Sequence, residues 1–189
     1  VELCRFLTRM GVEIEGAGTS TIRIAGGRRL VGAEHRLEGD YIEAGSWVVA
    51  AAVTGGEVEV RGVCAEHLEP ITTVLKRMSV DCEVDDGRLV SRPSSPVGVR
   101  QITTAPWPGF PSDMVSLITV LATQATGRTL VHDWMYELRL FALEQLSGMG
   151  ANLFLCDPHR MIVDGPTRLT GRTLDSRDLR SGMALIAAA

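Results

Sequence analysis

Leu75-Lys-Arg-Met78-Ser-Val80 is spelled again, with changes, at Leu7-Thr-Arg-Met10-Gly-Val12 and at Leu146-Ser-Gly-Met149-Gly-Ala151. Each copy reads as the last turn of a helix. Each is followed by a polar β-like segment, a turn and a short apolar strand: Ile22-Arg-Ile24, Arg88-Leu-Val90 and Met161-Ile-Val163. A second set of words, Asp40-Tyr-Ile42, Asp113-Met-Val115 and Asp178-Leu-Arg180, opens helices. The first two of these end at Gly55 and Gly127 and lead into alternating strands, Glu57-Val-Glu-Val60 and Arg128-Thr-Leu-Val131. The words return in the same order at a spacing of about 70 residues, which suits a supersecondary repeat or one slightly larger. The unit reads apolar helix, strand, amphipathic helix, strand, strand. The expected division is the tail of one unit at 1–32, a unit at 33–98, a unit at 99–171 and the head of a further one at 172–189.

The helices are of two kinds. Residues 66–78 put Leu68, Ile71, Leu75 and Met78 on one stripe, and residues 137–149 do the same with Leu138, Phe141, Ala142 and Leu146, so each predicts a helix that buries one face. Trp47–Val53, Val115–Ala125 and Met183–Ala189 are apolar nearly all round, which predicts interior helices. The strands alternate, with Val58 and Val60 on one side and Glu57, Glu59 and Arg61 on the other, so they predict sheets with one wet face. Apolar helices inside and sheets outside is the expected layout of this α/β (α+β) chain.

Composition sets the bounds. The 189 residues suffice for one good core or two small domains, and 45% hydrophobic content predicts a globular chain. A net charge of −4 argues against a general nucleic-acid binder. Cys4, Cys64, Cys82 and Cys156 are scattered without a CxxC pair, which predicts buried free thiols in a reducing compartment. His35, His67, His132 and His159 lack metal-ligand spacing, so no metal is expected. No secretory signal and no apolar run of membrane-spanning length is seen, so the expectation is a cytoplasmic chain with no membrane partner. Val1 at one end and an uncapped Ala-rich helix at the other suggest a truncated chain.

Two linkers punctuate the repeats, Arg92-Pro-Ser-Ser-Pro96 and Thr104-Ala-Pro-Trp-Pro-Gly-Phe-Pro111. The second holds three prolines and a glycine and enforces a stiff, extended approach to Asp113. Asp113 stands at a helix start, where an aspartate is a favoured cap as well as a candidate general base. Asp40 and Asp178 hold the equivalent positions. Arg180 lies in the first turn of its helix, where the dipole disfavours a cation unless an anion is near; Asp175 or Asp178 could be that anion, or a ligand could. Arg139 follows Leu138 and reads either as a surface residue paired with Glu137 or as a second anion-binding group. There is no Walker or Rossmann glycine loop and no Gly-x-Ser-x-Gly elbow.

The stretch Thr104-Ala-Pro-Trp-Pro-Gly-Phe-Pro-Ser-Asp-Met114 resembles the signature loop of the UDP-N-acetylglucosamine enolpyruvyl transferases (1-carboxyvinyltransferases), relatives of EPSP synthase. Glu137-Leu-Arg139-Leu-Phe141, Met149-Gly-Ala151, Asp178-Leu-Arg180-Ser181, Glu13-Ile-Glu-Gly-Ala-Gly-Thr19 and Asp40-Tyr-Ile-Glu-Ala-Gly-Ser46 extend the likeness over the whole chain, in order. The resemblance implies an inside-out α/β barrel of repeated βαβαββ-type units. It also implies transfer of the enolpyruvyl group of phosphoenolpyruvate to the 3-hydroxyl of UDP-N-acetylglucosamine, without metal or cofactor, on the route to peptidoglycan. By position, Asp113 matches the aspartate that meets the sugar hydroxyl as general base. Arg139 and Arg180 match arginines of the phosphoenolpyruvate region, and Met135 matches a position touching the nucleotide sugar through its backbone. Tyr41 stands where the family commonly has arginine, Trp107 where it has histidine, and Leu138 where it has asparagine or a small residue. The family's mobile-loop cysteine and early Lys-Asn pair have no counterpart in this stretch, so the 189 residues alone are expected not to turn over substrate. The other readings are a 3-phosphoshikimate 1-carboxyvinyltransferase and a non-enzymatic paralogue that binds a nucleotide sugar.

Overall fold

In a computed structural model, residues 1–176 and 178–189 are described, and they fall into two units, Val1–Gly39 and Asp40–Ala189. The first unit holds α1 (Glu2–Arg9) and an antiparallel pair, β1 (Glu13–Glu15) with β2 (Arg23–Ala25). No residue of 1–39 is fully buried, and Leu3 on α1 is exposed. Polar contacts organise this unit instead. Glu2 accepts from Arg5 at 3.2 Å and lies 3.1 Å from His35, and Arg9 donates to the Glu34 carbonyl.

The second unit contains the core. Its elements are α2 (Tyr41–Thr54), β3 (Val58–Arg61), α3 (Ala65–Arg77), β4 (Cys82–Asp85), β5 (Arg88–Ser91) and β6 (Gln101–Thr103). A short 3-10 helix, Ser112–Met114, then leads into α4 (Val115–Gln124). There follow β7 (Gly127–His132), α5 (Arg139–Leu143), α6 (Gln145–Gly148), β8 (Asn152–Asp157), β9 (Arg160–Gly165) and α7 (Leu179–Ala188). Strands β3, β5 and β4 form one antiparallel sheet, and β6, β7, β9 and β8 form another in which only the β6–β7 pairing is parallel. Both sheets are open among the described residues.

The repeated words have a physical meaning. Met10, Met78 and Met149 are the C-caps of α1, α3 and α6. After each, the same backbone bond closes the turn: Val12 N–H to the Leu7 carbonyl, Val80 to Leu75, and Ala151 to Leu146. Each turn then enters an antiparallel pair, β1–β2, β4–β5 or β8–β9.

The helices opened by the aspartate words are the interior ones of this unit. In α4 every residue from Val115 to Thr123 is buried, and α2, α4 and α7 pack on one another. The sheets lie against them and show a wet face, with exposed and covered positions alternating along β3 and β8. Burying a Val, Leu or Ile side chain is worth about 1.5–3 kcal/mol, so this helical interior dominates the stability of the unit. At Gly45 a Cβ would lie 2.9 Å from Met114 Cε, so the missing side chain lets α2 seat the buried Met114. Gly55 ends α2 at φ 66°, a left-handed cap that suits glycine. None of the described helices is long and apolar enough to cross a membrane.

Several sequence expectations are corrected. Residues 137–149 are not one helix but the short α5 and α6, and Leu138 and Phe141 are exposed while Leu140 and Leu143 are buried. The cause is a tightened backbone: Glu144 bonds to Phe141, Ser147 to Glu144 and Met149 to Leu146, all three residues back, which turns the buried face away from the 3.6-residue stripe. Trp47 on α2 and Ile186 on α7 are exposed, so neither helix is enclosed all round among the described residues. Of the cysteines, all free thiols, only Cys82 is buried; Cys156 is exposed, because it falls on the wet phase of β8.

Candidate active site

The site is built at the carboxyl ends of β6 and β7, the parallel pair. After β6 the chain runs through the Pro-rich loop to Ser112 and Asp113; after β7 it runs through Asp133–Leu138 into α5. Asp113 lies inside the 3-10 turn rather than at the cap position, and no side chain caps α4. Buried Met114 next to it is anchored against Gly45, while the Asp113 side chain is 42% exposed. A ligand can therefore reach this carboxylate.

Two guanidinium groups flank Asp113. Arg139 Nη2 is 3.2 Å from Oδ1 and Arg180 Nε is 3.3 Å from Oδ2. The expectation that Arg139 is a surface residue or a partner of Glu137 is overturned: its side chain is only 7% exposed. It sits there because Nη1 donates to Ser112 Oγ at 2.8 Å, Nε lies 3.6 Å from Asp178 Oδ2, and the Tyr136 ring lies 4.7 Å below Cζ. The contact with Asp178 is an ion pair by distance but makes no hydrogen bond, so Arg139 Nε keeps an unmet N–H. Asp178 is occupied by its own helix: its Oδ2 accepts from the Ser181 N–H at 2.9 Å and the Ser181 hydroxyl at 3.0 Å. Arg180 is the residue that its helix start disfavours, and the anion beside it is Asp113.

Met135 is exposed. Its N–H donates to Asp133 Oδ1 at 3.2 Å. Asp133 and Ser112 are the residues that the sequence reading missed. Asp133 is fully buried and accepts from Thr104 Oγ1 at 3.0 Å and from Ser112 Oγ at 2.7 Å. The one signal for it was its position directly after an alternating strand. Tyr41, His67 and Trp107 form an edge-to-face aromatic group, with centroids 5.7–6.2 Å apart. Burial, and then the charges of Asp113 and Asp40, push the Tyr41 phenol up, so it stays neutral near physiological pH.

A family model described as EPSP synthase (3-phosphoshikimate 1-carboxyvinyltransferase) matches residues 1–189. The chain belongs to the EPSP synthase family. Within it, a UDP-N-acetylglucosamine 1-carboxyvinyltransferase of Treponema denticola is 39% identical over 196 aligned residues, covering all of this chain and 46% of that protein. The protein of the same name from Halothermothrix orenii is 40% identical, with 45% of its length covered. The chain thus spans about half the length of the curated relatives it matches. Among solved structures, the enolpyruvyl transferase NikO from Streptomyces tendae superposes with a TM-score of 0.76 at 25% identity, over 96% of this chain and 44% of that one. EPSP synthase from Acinetobacter baumannii superposes at 0.69 and 22% identity over 97% of this chain and 46% of that one, which supports the shared fold.

Proposed function

We propose that this chain is part of an enolpyruvyl transferase acting on phosphoenolpyruvate and the 3-hydroxyl of UDP-N-acetylglucosamine, in cytoplasmic peptidoglycan synthesis and hence in cell shape and division. The observation that carries the reading is Asp113, reachable from outside and bracketed by Arg139 and Arg180. The named relatives support the choice of acceptor. In this reading Asp113 takes the proton of the attacking hydroxyl as its oxygen bonds to the enol carbon. Proton addition at the neighbouring methylene gives a tetrahedral intermediate. Loss of that proton and of phosphate then leaves the transferred enolpyruvyl ether. Arg139 and Arg180 hold the anionic groups of the donor, for which a planar, paired donor set is suited, and they stabilise the charge of the intermediate. Met135 meets the nucleotide sugar through its backbone. Nothing in this scheme draws on a metal or an organic cofactor.

The same reading extends to architecture. Units 33–98 and 99–171 are proposed as successive repeats of an inside-out α/β barrel whose remaining repeats lie outside these residues.

The test is phosphate release by the polypeptide that carries this chain, given phosphoenolpyruvate and either acceptor. Release with UDP-N-acetylglucosamine and not with 3-phosphoshikimate is expected. Release with 3-phosphoshikimate alone would move the assignment to the sister reaction. No release with either, alongside intact nucleotide-sugar binding, would favour a paralogue that kept the scaffold.

A further inference from the structure

Arg139 is the more buried of the two arginines beside Asp113, and its aim is set from behind. Its Nη1 donates to Ser112 Oγ at 2.8 Å, and the Ser112 hydroxyl donates in turn to Asp133 Oδ2 at 2.7 Å. A hydroxyl that must give its proton to a carboxylate turns its lone pairs to the other side, where the guanidinium stands. Asp133 is held in turn. Its Oδ1 accepts from Thr104 Oγ1 at 3.0 Å and from the Met135 N–H at 3.2 Å. Its own N–H donates to the His159 carbonyl at 2.8 Å, and its carbonyl lies 2.7 Å from His159 Nδ1. One fully buried side chain therefore ties together the residue after β6, the residue before Asp113 and the loop after β7.

We infer that Asp133, acting through Ser112, is a positioning residue that fixes the Arg139 guanidinium against Asp113. The inference deepens the proposed reading of Arg139 as an anion-binding group and rests on it for its functional meaning. An amide at 133 would spoil the arrangement either way round. With its nitrogen toward Ser112, that hydroxyl loses the acceptor for its own O–H, which no longer fixes the lone pair that faces Arg139. With its oxygen there, the nitrogen faces the Met135 N–H, and donor meets donor.

The experiment reads the Arg139 guanidinium directly, by 15N side-chain spectra of the polypeptide that carries this chain. Hydrogen exchange and rotation of its Nη groups are expected to quicken at least tenfold in Ser112→Ala and in Asp133→Asn. Ser112→Thr, which keeps the hydroxyl, is expected to stay within about twofold of wild type. Where Asp133→Asn does not fold, Ser112→Ala and its threonine rescue carry the test, because Ser112 is only partly buried. Rates unchanged in Ser112→Ala would overturn the inference, as would equal quickening in Ser112→Thr. A separate arm titrates inorganic phosphate into wild type and Arg139→Lys. Equal affinity there would contradict the anion-site reading and leave the positioning result to stand or fall on the exchange rates.

Discussion

At the start of α2 the Asp40 carboxylate turns back on its own helix and accepts from the Ile42 and Glu43 amides, whereas at the start of α4 the equivalent Asp113 turns outward to two arginines. Asp178, at the start of α7, does some of each: it caps Ser181 and also faces Arg139. The difference lies in the approach to the helix. A one-turn 3-10 entry after the Pro-rich loop puts Asp113 a residue inside, where it cannot reach the free amides of α4. The same repeated word thus supplies a cap at one helix and an arginine-paired, partly exposed carboxylate at another. A repeat lets a residue type change its work when only the backbone leading to it changes.

The sharpest way to break this contrast is Asp113→Asn. Transfer activity of the polypeptide carrying the chain should fall by about 10²–10⁴-fold in a phosphate-release assay. Its melting temperature should fall only modestly, because the amide oxygen can still accept from Arg139, which also keeps Ser112 and Asp178 as partners. Arg139→Met should come next, with about 1–3 kcal/mol lost in urea unfolding as Ser112 loses its charged donor. Asp40→Ala should cost about 0.5–2 kcal/mol of stability through the lost cap and leave transfer activity near wild type. Arg180→Gln should shift stability by only about 0–1 kcal/mol, as its ion pair with Asp113 is partly solvent-exposed on both sides. Phosphate binding should weaken all the same. A stable Asp40→Ala, or an unstable but active Asp113→Asn, would reverse the assignment of cap and carboxylate.

How much of this was legible in sequence follows from where the forces are local. The Leu-x-x-Met words marked three helix C-caps because each turn closes with the same short-range backbone bond. Val115–Ala125 gave an interior helix because it is apolar nearly all round, broken only by short hydroxyl side chains and Gln124. Residues 137–149 misled, because a stripe counted at 3.6 residues per turn cannot register a turn tightened to three. Arg139 sits inside despite its charge because its partners Ser112, Asp113 and Asp178 come from elsewhere in the chain. Asp133 was invisible for the same reason, since its partners Thr104 and Ser112 precede it by 29 and 21 residues.

The central claim is that Asp113, Arg139 and Arg180 act as one site. Titration of phosphoenolpyruvate into the polypeptide that carries this chain, followed at the guanidinium Nε–H resonances, tests it most directly. The account predicts that Arg139 and Arg180 shift together and saturate at one dissociation constant, and that Asp113→Asn alters both responses. Shifts at one arginine alone, or two unrelated constants, would contradict it.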